Sequence, residues 1–254
     1  MSGKLKDKVV IVTGASSGIG RASALAIGKE GAQVVIANRD VAGGEETVRL
    51  IKEAGGQAFF VRTDVSKAAD VENMVNQAIK VYGRLDCAFN NAGITGVTAP
   101  TVGCSEENWD QVIDINLKGI WLSMKYEIPA MLKQGKGAIV NTSSILGIVG
   151  TEDRPAYVAS KHGIIGLTKA AALEYARAGI RVNAVCPGPT KTGSVAEERL
   201  FSEGNFEKEK VAEIPMGRFG NAIEIAEAVI WLCSDAASFV NGQALPVDGA
   251  LTAR

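Results

Sequence analysis

Apolar runs of four or five residues recur along this chain, and longer stretches with helical periodicity separate them. Seven such runs, at residues 9–13, 33–37, 58–61, 86–90, 138–142, 181–185 and 244–247, are apolar at successive rather than alternate positions. Strands of that kind must be covered on both faces, so the pattern predicts a parallel sheet packed between two layers of helices. Helix entry signals agree. Ser66 precedes the stretch Ala68–Tyr82, Ser105 stands before Glu106 and Glu107, and Asn221 lies three residues before Glu224. The alternation of run and helix makes this an α/β chain with a doubly wound, seven-stranded and mainly parallel sheet.

Residues 189–218 break the rhythm. Strand character gives way to charges and glycines, among them Glu197, Glu198, Arg199, Glu203, Gly204 and Lys208. An insertion of this length in a compact domain is more often functional than filler, and it is expected to form a lid over a substrate. No proline-rich or low-complexity linker divides the 254 residues, so residues 1–254 are read as one domain.

Composition narrows the class. The chain is 46% hydrophobic and 22% charged with net charge −1, as expected of a globular protein with one large core. Its 27 basic residues are scattered among 28 acidic ones, which argues against nucleic acid as a partner. No apolar run approaches the roughly 18 residues of a membrane span, and the N-terminal residues lack the apolar centre of a signal peptide. A cytoplasmic location without membrane partners is expected. Cys87, Cys104, Cys186 and Cys233 form no Cys-x-x-Cys pair, and His162 is the one histidine, so no metal site is expected and the thiols are read as reduced and mostly buried. His162 follows Lys161 directly and points off its helix face, which leaves it structural.

Candidate chemistry begins where the first run ends, in Thr13-Gly14-Ala15-Ser16-Ser17-Gly18-Ile19-Gly20 before an alanine-rich helix. Glycines let a backbone turn sharply against a diphosphate, and the helix that follows directs unpaired N–H groups at the anion. The spacing is a variant of the dinucleotide fingerprint, and no Gly-Lys-Ser/Thr follows that would mark a nucleoside-triphosphate loop. The second run leads into Asn38-Arg39-Asp40, where such folds meet the adenosine ribose. A carboxylate there repels a 2′-phosphate and an arginine welcomes it. Neutral Asn38 and cationic Arg39 favour NADP(H), with NAD(H) possible because of Asp40 and because Ser16 and Ser17 bring no positive charge to the glycine loop.

Tyr157 lies thirteen residues after Ser144, and Lys161 four after Tyr157, at the start of a helix. Positions i and i+4 share a helix face, so the ammonium can sit beside the phenol and lower its pKa toward that of a general acid/base.

With these residues in view the chain resembles the short-chain dehydrogenase/reductase family over nearly its whole length. The markers are Thr13-Gly14-x-x-x-Gly18-x-Gly20, Asp64-Val65, Asn90-Asn91-Ala92-Gly93, Asn116, Ser144, Tyr157-x-x-x-Lys161 and Pro187-Gly188, in the family's order and spacing. The resemblance implies a Rossmann-type fold, a nicotinamide cofactor and a catalytic tetrad on Asn116, Ser144, Tyr157 and Lys161. By the same resemblance Tyr157 exchanges a proton with the carbonyl oxygen that Ser144 holds. Lys161 bonds the nicotinamide ribose, and Asn116 holds a water that links Lys161 to solvent. The cofactor would rest on Gly14, Ser16, Ser17, Gly18, Ile19, Gly20, Asn38 and Arg39. Asp64 and Val65 would meet adenine, Asn91, Ala92 and Gly93 would border the riboses, and Pro187, Gly188, Thr190 and Thr192 would clamp the carboxamide. Ser143 and Asn90 are read as structural neighbours of Ser144 and Asn91. Trp109, Trp121 and Trp231 are read as core or subunit contacts.

Ile94 to Val97, Ile145 to Arg154 and the lid are expected to line the substrate pocket. Its apolar near wall favours a ketone or secondary alcohol with a hydrophobic substituent, while Glu152, Asp153 and Arg154 leave a polar ligand open. The expectation is an NADP(H)-dependent carbonyl reductase, reversible, assembled as a homotetramer. The alternatives are an NAD-dependent alcohol or sugar dehydrogenase, a non-catalytic cofactor-binding regulator, and a methyltransferase, which has no use for a Tyr/Lys helix.

Overall fold

The computed structural model describes residues 3–192 and 206–253. Its first half alternates β1 (Val9–Thr13), α1 (Gly18–Lys29), β2 (Gln33–Asn38), α2 (Val41–Glu53), β3 (Gln57–Arg62), α3 (Ala68–Tyr82) and β4 (Cys87–Asn90). There follow α4 (Glu106–Val112), a π-helical turn over Ile113–Lys118, α5 (Gly119–Gln134), β5 (Gly137–Thr142), α6 (Pro155–Tyr175) and β6 (Ile180–Pro187). The last part holds β7 (Thr190–Lys191), α7 (Phe206–Glu213), β8 (Gly220–Asn221), α8 (Ala222–Cys233) and β9 (Ala244–Val247).

Seven strands pair side by side in the order β3-β2-β1-β4-β5-β6-β9. Every pairing is parallel. The chain winds outward from β1 to β3 and then returns to β4 on the other side of β1. That reversal opens a crevice at the carboxyl ends of β1 and β4, where α/β sheets bind their ligands.

The continuous apolar runs are explained by two cores. Val10, Val12, Val34 and Ile36 point to one face, against Ala24 and Ile27 of α1 and Ile225, Val229 and Ile230 of α8. Val9, Ile11, Val35 and Ala37 point to the other, against Met74 of α3, Leu122 and Ile128 of α5 and Ile164 of α6. Alternate residues of one strand thus serve opposite cores, and neither face has a polar register.

Some expected boundaries shift. β6 runs on to Pro187 because β9 pairs with its end, Cys186 opposite Pro246 and Pro187 opposite Val247. β4 starts at Cys87, and the Asp86 carboxylate just before it accepts from the Val9 N–H at 2.9 Å. Ser66 does not cap α3. Its N–H and O–H both donate to Asp64 Oδ1, at 3.0 and 2.7 Å, and Lys67 occupies the cap position without a side-chain bond. Ser105 does cap α4, accepting from the Asn108 N–H at 3.2 Å, and the Asn221 N–H donates to Glu224 Oε2 at 2.7 Å. β7, at the start of the expected lid, pairs with β8 just beyond its end, Thr190 opposite Gly220, while residues 193–205 lie outside the described residues.

Candidate active site

The glycine loop is pressed hard against the end of β4. Gly14 has φ +67°, and a Cβ there would stand 2.8 Å from Ala92 Cα. A Cβ on Gly20 would meet the Gly14 carbonyl oxygen at 2.2 Å. Thr13 fastens the contact, its Oγ1 accepting from the N–H groups of Asn91 and Ala92 at 2.9 and 3.1 Å. Asn91 Nδ2 donates back to the carbonyls of Thr13 and Gly14 at 3.2 and 3.3 Å. α1 begins after an extended Ser17 whose side chain does not cap it, and no acidic residue stands in its first turn. Its positive end is therefore left for an anion. Gly18 lies under Thr192, 3.3 Å from an ideal Cβ to Thr192 Cβ.

Toward the adenosine end, Gly14, Asn38, Arg39, Asp64, Val65 and Ala92 line one cleft with Gly93 and Ile94. Asn38 Nδ2 donates to Ser16 Oγ at 2.6 Å, coupling the end of β2 to the glycine loop. Asp40 faces away from that cleft chemistry, because its carboxylate caps α2 by accepting from the Gly43 N–H at 3.2 Å. Burial pushes the Asp64 carboxyl up, but the two Ser66 bonds and the Arg39 charge outweigh it and hold the group below its ordinary value.

At the other end stand Ser144, Tyr157 and Lys161. Ser144 is nearly buried after β5, and its Oγ accepts from the Leu146 N–H at 3.1 Å. Lys161 Nζ lies 5.4 Å from the centre of the Tyr157 ring and donates to the Thr142 carbonyl at 2.9 Å. Ser143 points the other way and donates to the Lys161 carbonyl at 2.8 Å, the structural role expected of it. Gly93 closes the group, since an ideal Cβ on it would stand 3.2 Å from Asn116 Oδ1 and 3.8 Å from Lys161 Nζ. Behind them Gly188 packs on Asp248, 2.7 Å from an ideal Cβ to its Cα, and Thr190 Oγ1 donates to the Gly188 carbonyl at 2.9 Å.

Electrostatics differ from expectation in one respect. Burial pushes the Tyr157 phenol above its ordinary value, and the influences that pull it down are the Ser144 hydroxyl and the Arg154 guanidinium, not Lys161. Burial also lowers Lys161 to about 8, which weakens its hold on the charged form. Asn116 departs as well. Its Oδ1 accepts from the Ile94 N–H at 2.8 Å, and its Nδ2 donates to the Ile94 carbonyl at 2.8 Å and to Ser160 Oγ at 3.2 Å. The side chain is thus engaged with protein partners, in a π-helical turn of the kind that often marks functional positions.

Two contributions carried no readable signal. Thr142 acts through a main-chain carbonyl, and Arg154 acts on the phenol through proximity that only the helix start creates. The tryptophans are not core residues. Trp109, Trp121 and Trp231 are 41%, 44% and 37% exposed. Cys87, Cys186 and Cys233 are buried free thiols, and Cys104 is half-buried.

The cleft fits a nicotinamide dinucleotide on its own chemistry: glycines where a Cβ would collide, an uncapped helix start for the diphosphate, and the cationic Arg39 next to neutral Asn38 at the ribose end. A sequence model of the family described as enoyl-(acyl carrier protein) reductase matches residues 14–252. The chain belongs to the short-chain dehydrogenase/reductase family, and it is an oxidoreductase acting on CH–OH groups. It is 44% identical over 255 residues to a cyclohexanol dehydrogenase of Acinetobacter sp. strain SE19, covering 100% of this chain and 98% of that one. It resembles the crystal structure of levodione reductase with TM-score 0.93 and 38% identity, over 98% of this chain and 99% of the other. A structure from Agrobacterium tumefaciens with bound NADP matches with TM-score 0.89 and 37% identity, over 98% of each chain.

Proposed function

We propose that the protein is an NADP(H)-dependent reductase that interconverts a cyclic or hydrophobic ketone and its secondary alcohol. The observation that carries this is the placement of Tyr157, Ser144 and Lys161 together at the crevice end, with Gly93 between Lys161 and Asn116. A bound nicotinamide cofactor supplies the hydride to the substrate carbon, or accepts it in the reverse direction. Tyr157 Oη donates the proton to the carbonyl oxygen, and the Ser144 hydroxyl holds that oxygen as charge develops. Lys161, held at the Thr142 carbonyl, would bond the ribose hydroxyls, while the Ser144 hydroxyl and the Arg154 guanidinium favour the phenolate left on Tyr157. Asn116 contributes to the water path from Lys161 to solvent through its main chain, because its amide is engaged by Ile94 and Ser160.

Preference for NADP(H) rests on Arg39 and on Asn38 joined to Ser16, with Asp40 withdrawn into its capping bond. Asp64 and Val65 border the adenine, Asn91 and Ala92 the riboses, and Pro187, Gly188, Thr190 and Thr192 the carboxamide. The apolar Ile148 and Val149 beside Ser144 suit a ring or alkyl substituent, in line with the cyclic alcohol named for one relative. Residues 189–218 serve as the lid, the whole chain folds as one unit, and the protein works in the cytoplasm as a homotetramer. An NAD-linked alcohol dehydrogenase is the second reading, favoured by the Arg39 charge being partly answered by Asp64. The test is Tyr157→Phe, assayed with NADPH and NADH on a panel of cyclic and aryl ketones. Turnover is expected to fall by about 10²-fold or more with cofactor affinity unchanged within a few-fold. Retained activity removes Tyr157 as the acid/base.

A further inference from the structure

The geometry points to Asn108 as a positioning residue that sets substrate selectivity, by holding the segment 94–100 as the outer wall of the substrate pocket. This rests on the oxidoreductase reading and extends it to a residue away from the reacting atoms. Asn108 Oδ1 accepts from the Val97 N–H at 2.8 Å, and Nδ2 donates to the Val97 carbonyl at 3.3 Å and to Cys104 Sγ at 3.4 Å. This repeats what Asn116 does to Ile94, at 2.8 Å in both directions. Two asparagines on one helical rod therefore each close a ring with the backbone of a single loop residue.

The spacing leaves the loop little slack. Eight residues of helix rise about 12 Å, while the three steps from Ile94 to Val97 span about 10 Å at full extension. Gly96 presses the loop onto the rod, with φ +73° and an ideal Cβ only 2.5 Å from Val112 Cγ2 and 2.8 Å from Asn108 Oδ1. The far end is tied to the opposite wall, where the Ala99 N–H donates to the Asp153 carbonyl at 2.9 Å. The two joined segments, one following Gly93 and the other lying between Ser144 and Tyr157 in the chain, carry Val97, Ile148 and Val149, which are 70%, 40% and 38% exposed. Three exposed apolar side chains at the mouth of a reaction site are what a hydrophobic substituent would cover. Asn108 fixes how far apart they stand, since both polar groups of the Val97 peptide depend on it.

Asn108→Ala should raise KM for a small cyclic ketone about fivefold to tenfold, the equivalent of one or two ordinary hydrogen bonds. KM for a bulky aryl ketone should change less than twofold, as should kcat and the KM for NADPH. Asn108→Asp keeps the acceptor for the Val97 N–H and loses the donor, so it should fall between, and it serves if the alanine variant does not fold. Hydrogen exchange gives an independent readout: protection should drop in residues 94–100 and persist in 113–118. Equal KM changes for small and bulky ketones, or a kcat loss without a KM change, overturn the selectivity role. Unchanged exchange in 94–100 overturns the clamp itself, whatever the activity. A wild type that reduces no ketone with either cofactor refutes the oxidoreductase reading instead, and the exchange result still decides the clamp.

Discussion

Glu127 of α5 is fully buried, and the way it is held makes stability depend on pH in a calculable sense. Asn90 Nδ2 donates to its Oε2 at 3.0 Å and to Asn141 Oδ1 at 3.1 Å, and Asn141 Nδ2 donates to Thr168 Oγ1 at 3.1 Å. Glu127 Oε1 and Asn90 Oδ1 have no hydrogen-bond partner. A proton on the carboxyl supplies a donor among these buried acceptors, which an ionised carboxylate cannot do. No cation among the described residues compensates. The buried face of α3 brings Val71, Met74, Val75 and Ala78, β4 and β5 bring the two asparagines, and α6 brings Thr168. Burial accordingly raises Glu127 from 4.5 to about 7, opposed only by the Asn90 bond. The native state holds this proton more tightly than the unfolded chain does. Its stabilisation is complete below pH 4.5 and is lost as pH rises through 7. A rise from 4.5 to about 7, at about 1.4 kcal/mol for each pH unit, amounts to about 3 kcal/mol. Glu127→Gln has nearly the shape of the neutral acid and does not titrate. Urea unfolding of both proteins at one fixed protein concentration, between pH 5 and pH 8, should show the glutamine variant gaining about 2.5 kcal/mol on the wild type, since part of the effect lies outside that window. Lys161, lowered to about 8, adds its own pH dependence above that range, but it is common to both proteins and cancels in the difference. Parallel curves would refute the buried neutral acid.

Two further outcomes test the cofactor and assembly assignments. Asn38→Asp places a carboxylate beside Ser16 and should cut the NADPH to NADH ratio of kcat/KM by about tenfold or more, and an unchanged ratio removes the 2′-phosphate assignment to this corner. Trp121 lines an apolar groove with Ile113, Leu117, Gly163 and Leu167, so Trp121→Lys should shift the proposed tetramer to smaller species in light scattering. A wild-type mass near 26.5 kDa at micromolar concentration would refute that assembly.

The strand runs were legible because a two-faced parallel sheet leaves no polar register, and residues 9–13 and 244–247 match their strands at both ends. Boundaries slipped where a neighbour decided them, as when β9 extends β6 to Pro187. Ser66 looked like a cap because composition marks a helix start, while the nearby Asp64 carboxylate competes for its donors.

Local spacing by itself determined the glycine loop, the Tyr157/Lys161 pair and the order of cofactor-facing segments, since each depends on backbone geometry over a few residues. Tertiary packing alone decided which charges act on one another. It set Arg154 rather than Lys161 against the Tyr157 phenol, and it engaged Asn116 and Asn108 with loop carbonyls. It also left Glu127 buried with no cation among the described residues in reach. Burial and distance govern those outcomes, and both arise only when segments far apart in the chain are brought into contact.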